Sequence, residues 1–303
     1  MQTESISSAQ PIGKANAPTL LITGATGTIG QEITKLLSER GIPFRAMVRS
    51  REKAAELAAL PGEELVQGDF GDLASLAQAL VGVERAFLLT NSSEQAEAQQ
   101  LAFVAEAKRA GVPHIVKLSQ FAAVVDSPVR FLRYHAVVER AIRESGMTYT
   151  FLRPNLFMQG LLGFRQSIME QGKFFAAIGD AKISTIDIRD IAAVAVAALT
   201  EPGHDNKTYT LTGPEAVTHA EMAGKLSTAL SRHITFVNVP SEAMQDALIG
   251  AGFPALQAEG LLEDYAHYSR NEASAVTTDV QDVTGKAARS FIDFARDYVP
   301  AFS

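Results

Sequence analysis

The chain has 303 residues, of which 47% are hydrophobic and 20% charged, a composition of globular rather than disordered protein. Its formal charge of −7 argues against nucleic acid as the main partner, since a duplex is bound largely by neutralising its phosphates. The absence of Cys excludes disulfides, thiolate nucleophiles and Cys-ligated metal sites together.

Residues 1–17 are polar, without periodicity or an apolar segment, and read as a mobile tail rather than a secretory signal. A short apolar run at 19–23 stops at Gly24. Ile29, Ile33, Leu36 and Leu37 then recur at helical spacing, and Gly41 closes that helix. Strand signals follow at 44–48, 64–67, 85–89, 114–118 and 148–152, separated by helical segments at 53–60, 73–80, 94–110 and 129–145. This alternation predicts an α/β fold over residues 18–155: a Rossmann-type, doubly wound parallel sheet. Residues 156–303 change rhythm. Helices are expected at 161–171, 188–199, 219–231, 241–251 and 257–270, with strand-like pieces at 207–211 and 234–237. That pattern reads as a smaller, mostly helical substrate lobe with segments returning to the sheet. The longest apolar run, 191–199, is too short to span a bilayer, so no membrane partner is expected and the expected compartment is the cytoplasm.

The turn after the first strand reads Gly24-Ala25-Thr26-Gly27-Thr28-Ile29-Gly30. One glycine allows the tight turn, one lets the backbone approach a pyrophosphate, and one lets helix and strand pack closely. The free N–H groups and the helix dipole would hold the phosphates. Gly24, Thr26, Gly27, Thr28, Ile29 and Gly30 are therefore the predicted cofactor cradle. A carboxylate at the end of the second strand would select NAD, but the sequence there is Arg49-Ser50-Arg51, with Lys53 beyond. Arg49, supported by Lys53, predicts a 2′-phosphate and hence NADP, with NAD the other option. Thr90, Asn91 and Ser92 end the fourth strand at the carboxyl edge of the sheet and are expected along the ribose and pyrophosphate. The six His residues show no metal-ligand spacing, and no G-x-S-x-G hydrolase signature is present.

The G-x-x-G-x-x-G spacing resembles that of the atypical short-chain dehydrogenase/reductases. Further motifs resemble their NmrA-like group, which includes triphenylmethane-dye and quinone reductases: Ala46-Met47-Val48-Arg49, Gly68-Asp69-Phe70, Tyr149-Thr150-Phe151-Leu152-Arg153-Pro154-Asn155, Ile186-Asp187-Ile188-Arg189-Asp190-Ile191-Ala192, and Phe291-Ile292-Asp293-Phe294-Ala295-Arg296-Asp297. The resemblance covers nearly all of residues 18–300. It implies adenine contacts for Asp69 and Phe70, although an Asp also caps helices, and Asp72 is the better placed cap. It implies that Asn155 bonds the nicotinamide carboxamide and that Phe157 walls the acceptor pocket, with Phe121 as a further wall.

Typical short-chain reductases use a Ser after the fifth strand and a Tyr-x-x-x-Lys, whose Lys lowers the Tyr pKa. Ser119 and Tyr134 stand at the first two positions, but Val138 replaces the Lys. The resemblance instead aligns His135 and Glu139, which share one helix face. His135 is the candidate proton donor or orienting group, the alternative being a packed His with Glu139 as its partner. Adjacent helical residues diverge, so at most one of Tyr134 and His135 is expected to be central. The reading is an NADPH-dependent reductase of a small electron-poor acceptor. The alternative is a catalytically weak NADP-binding redox sensor that binds a protein partner. A homodimer is compatible with either.

Overall fold

A computed structural model describes residues 18–250 and 252–303; the tail predicted at 1–17 lies outside the described residues. Its strands are β1 (Leu20–Ile22), β2 (Phe44–Val48), β3 (Glu63–Gln67), β4 (Arg85–Leu88), β5 (His114–Leu118), β6 (Thr148–Pro154), β7 (Lys173–Ala176), β8 (Lys207–Leu211) and β9 (Thr235–Asn238). Its helices are α1 (Thr28–Glu39), α2 (Ala55–Ala58), α3 (Leu73–Ala79), α4 (Ala96–Arg109), α5 (Arg130–Ser145), α6 (Arg165–Gln171), α7 (Ile188–Thr200), α8 (His219–Leu230), α9 (Ser241–Gly250), α10 (Ala255–Ser269), α11 (Asp279–Thr284), α12 (Phe291–Asp297) and α13 (Val299–Phe302).

Seven strands form one parallel sheet in the order β3-β2-β1-β4-β5-β6-β8. A parallel strand covered on both faces needs apolar residues at successive positions, and β1 is Leu-Leu-Ile, buried throughout. Side chains alternate across it. Leu20 and Ile22 join the core beneath α1 and α7, and Leu21 joins the opposite core beneath α3, α4 and α5. Helix α7 is apolar on nearly every side because it is enclosed. The longest apolar run of the chain is thus a core helix, and among the described residues no helix is long and apolar enough to cross a membrane.

From β1 the chain winds outward to β2 and β3, then returns to place β4 on the other side of β1. Such a reversal opens a crevice at the carboxyl ends of the strands. Thr23 pins the two strands there: its Oγ1 donates to the Phe87 carbonyl at 2.8 Å and accepts from the Leu89 N–H at 2.9 Å.

The C-terminal half is tied to this sheet, since β8 pairs with β6 from Thr150–Lys207 to Pro154–Leu211. The rest packs around a second, two-stranded parallel sheet of β7 and β9, with Met158, Phe174, Leu226, Phe291 and Phe294 in its core. Strand β7 carries no prediction in the sequence: it is four residues, Lys-Phe-Phe-Ala, and its partner lies far along the chain. Residues 158–164 form a 3-10 turn where a helix was expected from 161, and Gly160 and Gly163 disfavour a regular helix there. Helix α12, also unpredicted, starts at a capping box between Ser290 and Asp293 and buries Phe291, Phe294 and Ala295.

Candidate functional site

The crevice is a cleft of about 790 Å³, lined from the ends of β1 to β6 and from α5 and α10. At β1, Gly24 turns with φ +64°. A Cβ on Gly30 would fall 2.1 Å from the Gly24 carbonyl oxygen, so a glycine there lets α1 start hard against the strand. Gly30 acts through this packing and does not line the cleft, unlike Gly24, Thr26, Gly27, Thr28 and Ile29. Helix α1 opens on Gly27 with no side-chain cap and no acidic residue in its first turn. Its leading N–H groups are thus left for an anion from the cleft, a cradle that fits a dinucleotide pyrophosphate.

Arg49 lines the cleft, is exposed, and has no carboxylate within ion-pair distance among the described residues. Lys53, predicted beside it, does not line the cleft. The chain leaves β2 through a 3-10 turn, Glu52–Ala54, that carries Lys53 to the exposed surface. Asp69, Phe70, Thr90, Asn91 and Ser92 line the cleft. Asp69 Oδ1 accepts from the Gly71 N–H at 2.7 Å, while Asp72 caps α3.

Deeper in the cleft lie Ser119, Tyr134 and His135. Strand β5 delivers a group that the sequence reading missed. Lys117 is fully buried, and its Nζ lies 2.8 Å from His135 Nδ1 and donates to the Leu118 carbonyl at 3.0 Å. Burial, offset in part by Glu139, pulls the Lys117 ammonium down to about 7. Burial, the Lys117 charge and Arg153 hold the His135 imidazole well below its usual range, so the ring is neutral at pH 7. A protonated Lys117 offers only donors. Nδ1 of His135 then accepts, and the ring proton sits on Nε2. The signal for Lys117 was present: a cation inside a strand that otherwise reads as core.

Glu139 is not the partner of His135. It is fully buried and accepts Ser119 Oγ at 2.6 Å, Arg153 through Nε at 2.9 Å and Nη2 at 2.6 Å, and Arg143 at 3.2 Å. With its proton committed to Glu139, Ser119 presents only acceptor capacity to the cleft. Tyr134 and His135 both line the cleft, with ring centroids 4.2 Å apart. The cleft wraps the first turns of α5 closely enough to reach both. Burial pushes the Tyr134 phenol up to about 12, which keeps it protonated.

Asn155 lines the cleft; its Nδ2 donates to Ser184 Oγ and the Ala273 carbonyl, both at 2.8 Å, so it meets the cleft through its Oδ1, an acceptor. One further expectation is corrected. Phe121 does not line the cleft. It packs in a small core with Ala176, Tyr265 and Tyr268, whereas Phe157 does line the cleft.

The acceptor end is closed by α10, which sequence periodicity gave no reason to place there. Arg130 on α5 pairs with Glu263 at 2.7 Å and Glu259 at 3.0 Å, and Gln257 donates to the Ser92 carbonyl at 2.5 Å. Leu261, Asp264 and Tyr268 thereby enter the cleft lining.

The profile of the NmrA-like family matches residues 16–293. The chain is 41% identical over 283 residues to an NAD(P)H azoreductase of Xenophilus azovorans, covering 93% of this chain and 99% of that protein. Among solved structures it is similar to an NADPH-dependent quinone oxidoreductase of Escherichia coli complexed with NADPH, with a TM-score of 0.83 and 30% identity over 92% of this chain and 99% of the other. It is similar also to the Citrobacter sp. triphenylmethane reductase complexed with NADP(H), with a TM-score of 0.83 and 29% identity over the same shares. The chain therefore belongs to the NmrA-like family.

Proposed function

We propose that the protein is an NADPH-dependent reductase that delivers a hydride to a small electron-poor acceptor of the quinone, azo-dye or triphenylmethane-dye type. One observation carries this reading: an uncapped glycine turn fit for a pyrophosphate and a neutral, Lys-backed His135 open into the same cleft. The names of the similar proteins support the same chemistry.

Thr28, Ile29 and the neighbouring glycines would hold the pyrophosphate, and Arg49 the 2′-phosphate. The bound nicotinamide supplies the hydride. Phe157, Phe131 and Leu261 exclude water from the acceptor. When a quinone takes a hydride it becomes an oxyanion and needs one proton. His135 donates that proton from Nε2, while its Nδ1 takes one from Lys117 Nζ; a solvent proton then reaches Nε2 from the cleft and the Nδ1 proton returns to Lys117. The sum is one quinone, one NADPH and one proton giving hydroquinone and NADP+.

The test is loss of NADPH absorbance with a quinone, an azo dye and a triphenylmethane dye in turn, together with titration by NADPH and NADH. Turnover with at least one acceptor is expected. Tight NADPH binding with no turnover of any would favour a redox sensor that binds a protein partner.

A further inference from the structure

Asp264 has no place in the hydride or proton steps, yet it is the one buried carboxylate in the cleft lining. It is 5% exposed. Its Oδ1 accepts from Gln120 Nε2 at 2.9 Å, and no cation pairs with either oxygen among the described residues. Arg130, on the adjoining helix, is already paired with Glu263 and Glu259. Tyr134, Tyr268 and Phe131 place aromatic rings in the same lining. An unpaired carboxylate walled by aromatic faces is a poor site for a neutral solute and a good one for a delocalised cation.

We propose that Asp264 is the subsite for the positive charge of a planar aromatic cation, the iminium end of a triarylmethane-type dye, and that it makes the enzyme prefer such acceptors to neutral ones. The proposal rests on the reductase reading above and names its substrate class. Hydride addition fits it. The electron pair from NADPH forms a new C–H bond at the cationic carbon, NADPH becomes NADP+, and the substrate charge is cancelled without a proton. The product is neutral, loses its ion pair with Asp264, and leaves.

Burial pushes the Asp264 carboxyl up to about 7, opposed by the Gln120 hydrogen bond and reinforced by Glu263. The groups around it are Glu263, Tyr265 and Tyr268 on α10, Tyr134 on α5, and Gln120 beyond β5, none of them cationic. Affinity for a cation should therefore rise with pH through about 7 as the carboxylate forms.

The experiment is equilibrium binding of crystal violet and of its neutral leuco form to the NADP+ complex, where no turnover occurs. Wild type should bind the cation more tightly, by about tenfold or more, and Asp264→Asn should lose that preference. Asp264→Glu should retain part of it. NADPH affinity should be unchanged in Asp264→Asn, which also reports on folding. Equal binding of dye and leuco form by wild type, or an undiminished preference in Asp264→Asn, overturns the proposal. Failure of wild type to oxidise NADPH with any acceptor would instead overturn the reductase reading, and the binding comparison does not depend on turnover.

Discussion

Arg49 is an exposed cation of the cleft lining and Lys117 a fully buried one behind His135, and that difference suits them to different work. Arg49 offers a planar fork for phosphate oxygens. A charge-assisted hydrogen bond contributes about 1.5–3 kcal/mol, so Arg49→Ala should weaken NADPH binding by about tenfold or more and leave NADH binding nearly unchanged. Fluorescence titration of both cofactors checks this, and equal effects on the two would remove Arg49 from 2′-phosphate recognition. Lys117 instead titrates near neutrality. Its ammonium is present below about 7 and is lost above it. It faces His135 and Glu139 on α5 and Arg153 on β6, and Glu139 is itself held by Arg153 and Ser119. The rate with saturating neutral quinone should fall as pH rises through about 7. Lys117→Met should lower that rate about 10²-fold and flatten the pH limb without changing NADPH affinity. A wild-type slope surviving in the variant would exclude Lys117 as the proton source. The glycine turn, Arg49 and His135 were legible in the sequence because each sits at a fixed distance from a strand end. Lys117 left only the trace of a cation inside a core strand, and Asp264 left none, because strand-to-helix packing brings them to the site. The partners that orient Asn155, Ser184 and Ala273, were hidden for a related reason: they are distant in sequence.

Most of the sheet could be read from the alternation of apolar runs and helical spacing, since a parallel strand and its crossover leave a local pattern. The elements that escaped, β7, α11, α12 and α13, are short, and β7 and α12 owe their form to long-range partners. Helix α10 was visible as a helix but not as a wall of the site. Its position depends on Gly260, where a Cβ would fall 2.2 Å from Cζ of the Phe131 ring. In an isolated helix, Gly to Ala gains about 1 kcal/mol. Here the overlap reverses the sign, because Phe131 is itself buried on α5 and part of the cleft lining. Gly260→Ala should cost about 1–3 kcal/mol of stability and raise the KM for the acceptor, with NADPH affinity little changed because the cradle lies at the other end. Denaturant unfolding and initial rates test both halves. A stabilised variant with wild-type KM would show that α10 does not close on Phe131.

At the scale of the whole molecule, the question is whether the cofactor half and the C-terminal half are separate units. The sequence suggested a boundary near residue 155, where the strand–helix rhythm changes. Three features run across that boundary. Strand β8 is hydrogen-bonded to β6, α7 fills the core beneath β1 beside α1, and Asp190 on α7 holds Arg289, ahead of α12, through both its backbone N–H at 2.7 Å and its guanidinium. Removing either half would strip a sheet edge and expose a core face, so the two should unfold together. Calorimetry should then give one transition. NADPH at a hundredfold excess over its dissociation constant adds about 2.7 kcal/mol by linkage, so the single transition should move up as a whole by about 5 °C or more. The residues proposed to hold NADPH lie between β1 and β6, and independent halves would therefore split the trace. The first peak would shift with NADPH while a second stayed fixed, and that result would restore the boundary at residue 155.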